Sequence, residues 1–390
     1  MGIQSASATF SRFFIQDLPV GDFWTYVDEK LNSGIFKELE EGLEEAVGFT
    51  SWEDIFDPGF PFGSYHKGEY VAFNFRVDQR KVPGILVKQY VRQKVQKHRD
   101  ENGGKWPSRQ ERQEIREDVQ DWLMKRTLPR PSSCEVVWNP AAKMMIVGTT
   151  GSKMIESFLE QFEKHFRLYP VPLFHVNWGL NVIPLSGQEK DRLNSMASVK
   201  SPHILEEGRF LGYDFLTWVW FMTENSQQVV PFGEGRQAEV HLGERLTLTL
   251  PEEGKERVVC NTRANALHEA RTALRQGKVV SELQLFFRIG ENEYLLTLDS
   301  SLSNIKGLRT PRQLPDYDEE DVDGQFLERM FFLEEFSSAL DALYGKFLKE
   351  RLDSRWDSHT LPLMKQWIEK GGEDLQPSAG DSEERESAPF

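Results

Sequence analysis

Apolar and polar positions alternate from Glu69 to Val77, with Val71, Phe73 and Phe75 on one side, the period of a strand. A strand is likewise expected over Thr9 to Ile15, a helix from Asp22 to about Phe36, and then a loop rich in Gly, Pro and aromatics as far as Lys67. From Gly84 to about Asp100 the apolar spacing becomes helical. Gly103, Gly104 and Pro107 break that helix, and Ser108-Arg109-Gln110-Glu111 then matches a capping box, whose hydroxyl and carboxylate satisfy the first amides of a second helix reaching about Thr127.

Two strands, Ser133 to Trp138 and Lys143 to Gly148, flank Asn139-Pro140 and precede a helix from Ser152 to about Phe166. After a proline-punctuated connector, Pro170 to Pro184, Tyr213 to Met222 reads as a helix. Strand-like runs follow at Glu239–Leu250, Glu256–Cys260, Val279–Ile289 and Tyr294–Leu298, with a helix at Ala264–Gln276 among them. Gly324 to Lys370 is helical, interrupted near Asp353. The expected class is α+β, with mixed sheets, packed helices and several sub-domains. These are a central α/β portion (1–75 and 133–210), a basic helical portion (76–132), a second α/β portion (211–323), C-terminal helices (324–370) and a disordered acidic tail (371–390).

Composition narrows the class. Of 390 residues, 39% are apolar and 28% charged, with 27 Phe and 10 Trp, too aromatic for a disordered chain and too polar for a membrane protein. The longest strongly apolar run, Phe215 to Met222, is far shorter than the roughly 20 residues a bilayer needs, and no basic cluster followed by an apolar stretch opens the chain, so neither insertion nor secretion is expected. Met1-Gly2 lacks the Ser or Thr at position 6 of a myristoylation signal, having Ala6. Two cysteines, Cys134 and Cys260, make neither a disulfide framework nor a tetrahedral zinc site; they read as core residues in a reducing cytoplasm.

Catalytic motifs fail on spacing. Gly148-Thr149-Thr150-Gly151-Ser152-Lys153 lies between a strand and a helix, yet two residues separate its glycines where a P-loop needs four. In Glu319 to Gly324 a calcium loop would begin on Glu319 and close on Met330, which cannot ligate. Pro315-Asp316 has no Lys after it until Lys346, and the eight histidines form no metalloprotease pattern. No enzyme, metal site or cofactor is expected.

Charge changes the picture. The net charge of −15 argues against a polyanionic partner, but Arg76 to Arg130 holds 15 Lys and Arg against 8 Asp and Glu, a local excess of 15 − 8 = +7. The acid gathers at Asp316–Asp323 and in the last twenty residues, where six carboxylates accompany Arg385 alone. At about 100° per residue, Lys88, Arg92 and Arg99 share a narrow arc of the first helix beside the stripe Val87, Val91 and Val95. Arg109, Arg112 and Arg116 lie together on the second helix, with its acidic residues roughly opposite. Arg76, Arg80 and Lys81 precede these helices; Lys125, Arg126 and Arg130 follow. A solvated face and a phosphate-tracking surface both fit this pattern. With Tyr90, Trp106 and Trp122 the only rings, duplex backbone contacts are favoured over base-stacked single strands.

The order of several short blocks resembles the bacterial recombination-associated RdgC family. They are Val47-Gly48-Phe49-Thr50-Ser51-Trp52, Arg80-Lys81-Val82-Pro83, Val87-Lys88-Gln89, Leu128-Pro129-Arg130, Met144 to Val147, Tyr169 to Leu173, Asp214 to Trp218, and Gly277 to Val280 with Leu283 to Phe287. The resemblance implies a ring-shaped homodimer that encircles double-stranded DNA without sequence preference and restrains the RecA recombinase in a cytoplasmic, nucleoid-associated setting, with no membrane partner. It carries the family's basic inner surface onto Lys81, Lys88, Arg92, Arg109, Arg112, Arg116 and Arg130. Together with Arg76 and Arg99 from the charge pattern, these are the candidate DNA-binding residues. The alternative is an acidic protein-interaction scaffold with little DNA contact.

Overall fold

The computed structural model describes residues 2–197, 211–225, 227–250, 256–261, 264–300, 304–311 and 321–370. The acidic tail, and the acidic run up to residue 320, lie outside the described residues. The fold is α+β with antiparallel strand pairing, and contacts divide the chain into two compact units: residues 15–170, and the first 14 residues together with those from 171 onward. The opening strand β1 (Ser7–Phe14) belongs to the second of these.

The unit 15–170 runs α1 (Phe23–Ser33), β2 (Glu45–Thr50), β3 (His66–Lys67), β4 (Tyr70–Gln79), α2 (Gly84–Glu101), α3 (Arg109–Met124), β5 (Arg130–Asn139), β6 (Met144–Val147) and α4 (Ser152–Phe166). The strand order is β6-β5-β4-β2, with Phe75 of β4 opposite both Phe49 and Cys134. Three phenylalanines of α4 at i, i+4 and i+8, Phe158, Phe162 and Phe166, are wholly buried, and they meet Phe49, Phe73, Phe75 and Trp138 of the sheet. Phe162 and Phe166 stack at 4.3 Å and 8°.

The alternation along β4 predicts one covered face, whereas both are covered. Asn74, on the face opposite Phe73, donates to the carbonyls of Ser51 and Trp52 at 2.7 and 3.0 Å, so the chain after β2 folds over the polar side. β2 itself falls in the expected loop. Its Gly48 breaks the apolar pattern because a Cβ there would lie 2.4 Å from the Cα of Phe36. That close approach allows Phe36 N–H to donate to Phe49 O at 2.8 Å.

The other unit continues with β7 (Val171–Pro172), α5 (His175–Asn181), α6 (Gly187–Ala197), α7 (Leu211–Glu224), β8 (Val229–Phe232), β9 (Arg236–Thr249), β10 (Arg257–Asn261), α8 (Ala264–Arg275), β11 (Val279–Ile289), β12 (Asn292–Asp299), β13 (Ile305–Arg309), α9 (Val322–Arg351) and α10 (Leu361–Lys370). Its strands follow the order β10-β9-β11-β12-β13-β1. The apolar run of α7 is buried on nearly every side, with Phe215 packing on Tyr344 and Phe347 of α9. Buried polar groups fix the long helix. Glu335 accepts hydrogen bonds from Arg236, Asn292 and Tyr294, and Arg329 donates to the carbonyls of Ile3 and Ser5. The break expected near Asp353 precedes α10, whose fully buried Trp367 donates to Glu224 at 2.7 Å and meets Trp220 edge-on.

No described helix is long and apolar enough to cross a membrane. Both cysteines are free and buried; burial pushes the Cys134 thiol up to about 12.

Candidate nucleic-acid interface

The two basic helices form an antiparallel hairpin on the unit 15–170. Gly103 and Gly104, at φ of +62° and +85°, make the reversal in a backbone region that side-chain-bearing residues avoid. Then the capping box closes as its sequence requires: Ser108 Oγ accepts from Glu111 N–H at 3.3 Å and Glu111 Oε2 from Ser108 N–H at 2.7 Å. The Ser108 N–H, with the neighbouring Ser108 hydroxyl, holds the Glu111 carboxyl below its usual range. Val119, Leu123 and Met124 bury one side of α3. α2 has no buried residue along its 18 positions; its stripe Val87, Val91 and Val95 is half-covered, and Tyr90 meets Trp122 with ring centroids 5.1 Å apart.

Antiparallel packing brings the start of α2 beside the end of α3, and a groove of about 430 Å³ opens there. Arg80, Lys81, Lys88 and Arg116 line it together with Glu44 and Gln120, over Val82, Val87, Val91 and Met124. Arg80 is tied to the carbonyls of Glu40 and Leu39, while Lys81, Lys88 and Arg116 make no ion pair among the described residues. Three predicted residues on two helices and their approach thus converge in one place. Arg92 follows Lys88 by one turn, and both are exposed.

Toward the reversal, Arg99 lies over the Trp106 ring at 4.8 Å, and Arg112 Nε donates to Pro107 O at 2.9 Å. Arg109 is exposed on the first turn of α3. At the other end Arg126 lies over Trp122 at 4.2 Å. Trp106 and Trp122 are 60% and 37% exposed, so the rings discounted in the sequence are solvent-facing plates, each backed by a guanidinium. Arg130 opens β5 as an exposed residue opposite Gln79.

Arg76 stands apart from this set. On β4 it donates to both carboxylate oxygens of buried Asp78 at 2.7 Å and to Ile55 O at 3.2 Å, and it is held between the rings of Phe36 and Phe56. The same alternation that marks β4 as a strand puts residues 76 and 78 on one face, a sign of this pairing already present in the sequence. Its charge is spent inside the fold.

A family model described as "Putative exonuclease, RdgC" matches residues 27–181, a span that holds the whole hairpin and its groove. Over that span the chain is similar to the RdgC family. No curated protein matches the chain. Among the described residues, no three His, Cys, Asp or Glu side chains are grouped so as to hold a metal ion.

Proposed function

We propose that this chain is a non-enzymatic binder of double-stranded DNA that acts in recombination or replication without sequence preference. Similarity to the RdgC family supports a role in recombination. The observation that carries the DNA reading is the convergence of Arg80, Lys81, Lys88 and Arg116 on one groove, continued by Arg92, Arg99, Arg109 and Arg112 along the same hairpin. Long cationic side chains along an exposed track neutralise phosphates and release their condensed counterions, and this term carries no base information. A chain of net charge −15 that confines its excess cations to this hairpin attracts a polyanion there and repels it elsewhere.

In the same reading two copies close around the duplex, restrain access of the RecA recombinase and work at the nucleoid. The assembly is a homodimer near 90 kDa, twice 45.2 kDa, which light scattering measures. The DNA reading is tested by fluorescence anisotropy of a labelled duplex across a salt series. Neutralising about five phosphates gives a slope of log K against log salt near −4.5, and unrelated duplexes of equal length bind within a few-fold of each other. A slope near zero instead supports the acidic protein-interaction scaffold.

A further inference from the structure

The groove between α2 and α3 is more than a stretch of cationic surface. An open phosphate track needs charge and exposure, and Arg92 and Arg109 have both without enclosure. The groove adds partial enclosure and apolar lining: Val82, Val87, Val91 and Met124 lie among Arg80, Lys81, Lys88 and Arg116. At about 430 Å³ it falls at the small end of the roughly 300–1,000 Å³ range of pockets that take small organic molecules, too small for a duplex and sufficient for one nucleotide. Aliphatic side chains flanked by cations suit a ligand with one flat apolar part and one anionic part.

We propose that this groove binds a single unpaired nucleotide of a DNA strand, its base against Val87, Val91 and Met124 and its phosphate on Lys81, Lys88 and Arg116. The wider DNA reading supplies only the strand from which the nucleotide comes. Arg80, held by the carbonyls of Glu40 and Leu39, is a fixed wall, whereas Lys81, Lys88 and Arg116 make no ion pair among the described residues and outnumber Glu44, the carboxylate in the groove lining. Burying a base on apolar side chains offsets the loss of its stacking in the duplex, least costly where the nucleotide is already unpaired. The groove therefore favours an overhang, gap or frayed end over intact duplex, while Arg92 and Arg109 contact the flanking backbone.

The test compares three labelled duplexes on the full-length protein: blunt, with a one-nucleotide 5′-phosphorylated overhang, and with the same overhang abasic. The overhang is expected to bind about tenfold more tightly than the blunt and abasic duplexes, the scale of one base contact. Competition separates the chemistry: deoxyadenosine monophosphate displaces the overhang duplex at concentrations at least about tenfold lower than deoxyadenosine or inorganic phosphate. Displacement by the free nucleotide without an overhang preference identifies a free-nucleotide pocket and overturns the strand-end assignment. Val91→Phe fills the groove and abolishes the overhang preference. Arg116→Gln, at an exposed position that leaves the helix intact, reduces nucleotide competition should the larger substitution unfold the hairpin. If all three duplexes bind equally and inorganic phosphate competes as well as the nucleotide, the groove is an anion site and the inference is wrong, with duplex binding untouched. If the nucleotide competes for the overhang and blunt duplex shows no salt-dependent binding, the pocket stands and the wider reading fails.

Discussion

Arg76 and Asp78, two positions apart on β4, close on each other through a pair of 2.7 Å hydrogen bonds, with 11% and 5% of their side chains exposed. A bidentate pair this deeply buried is costly to break from one side, because the partner's charge is left in a low-dielectric site. Arg76→Gln is expected to lower stability by about 3–5 kcal/mol in urea denaturation and, under conditions where it remains folded, to leave duplex affinity unchanged. A loss of affinity in the folded variant would return Arg76 to the DNA-contacting set.

The exposed cations behave in the opposite way. Replacing Lys88, Arg92, Arg109, Arg112 and Arg116 with Gln preserves helix propensity, so circular dichroism and the melting curve change little. Duplex affinity falls across all sequences, with a shallower salt slope by roughly one unit per lost phosphate contact. Lys153, Lys164 and Arg167, basic residues on and just after α4, provide the control; their replacement leaves both affinity and slope in place. Equal indifference to both sets, read by anisotropy, makes the hairpin a solvated face.

Acid acts on the unit 171 onward through His175. Burial lowers the pKa of this fully enclosed imidazole from 6.5 to about 4, and Nε2 sits 2.5 Å from Ser300 O as the donor of a neutral ring. The unfolded chain takes up its proton from about pH 6.5 downward while the folded chain resists until about 4. The stability present above pH 6.5 is therefore lost across that interval, by about 3 kcal/mol. His175→Gln flattens this part of the pH profile of the urea midpoint. An unaltered profile would assign the acid sensitivity to other groups.

Trp367 anchors α10 through its fully buried ring and its hydrogen bond to Glu224, which also receives Trp220 and Arg271. Trp367→Ala removes about 3–5 kcal/mol of packing from the last helix. Hydrogen exchange should become fast across residues 361–370 while β4 amides stay protected. Loss of protection in both would mean that α10 is integral to global folding.

Local signals made the hairpin legible. Ser108 and Glu111 cap their own helix, the glycine pair marks the reversal, and helical spacing groups Lys88, Arg92 and Arg99 before any tertiary contact is known. β11 and α4 likewise run over the expected residues, since the pattern of each is set within its own length. β2 was not legible because Gly48 answers to the backbone of Phe36, a contact made across the turn from α1. α5 hides in a proline-punctuated connector, its N-cap Phe174 making no side-chain hydrogen bond. The groove escaped for a similar reason: joining Arg80 and Lys88 to Arg116 requires the antiparallel return of α3, and Trp106 acquires its guanidinium backing across the chain reversal, whereas Arg126 reaches Trp122 from four residues further along the same segment.

Because α2 buries none of its side chains, the stability of the unit places little restriction on which residues it carries. Exposed substitutions away from caps and cores usually change stability by less than about 0.5 kcal/mol, so charge, length and chemistry along this helix can drift or be reselected without unfolding what lies beneath. The phenylalanine ladder of α4 has no such freedom. Among the described helices, α2 is thus where evolution or an engineer can change surface chemistry with the least cost to the fold.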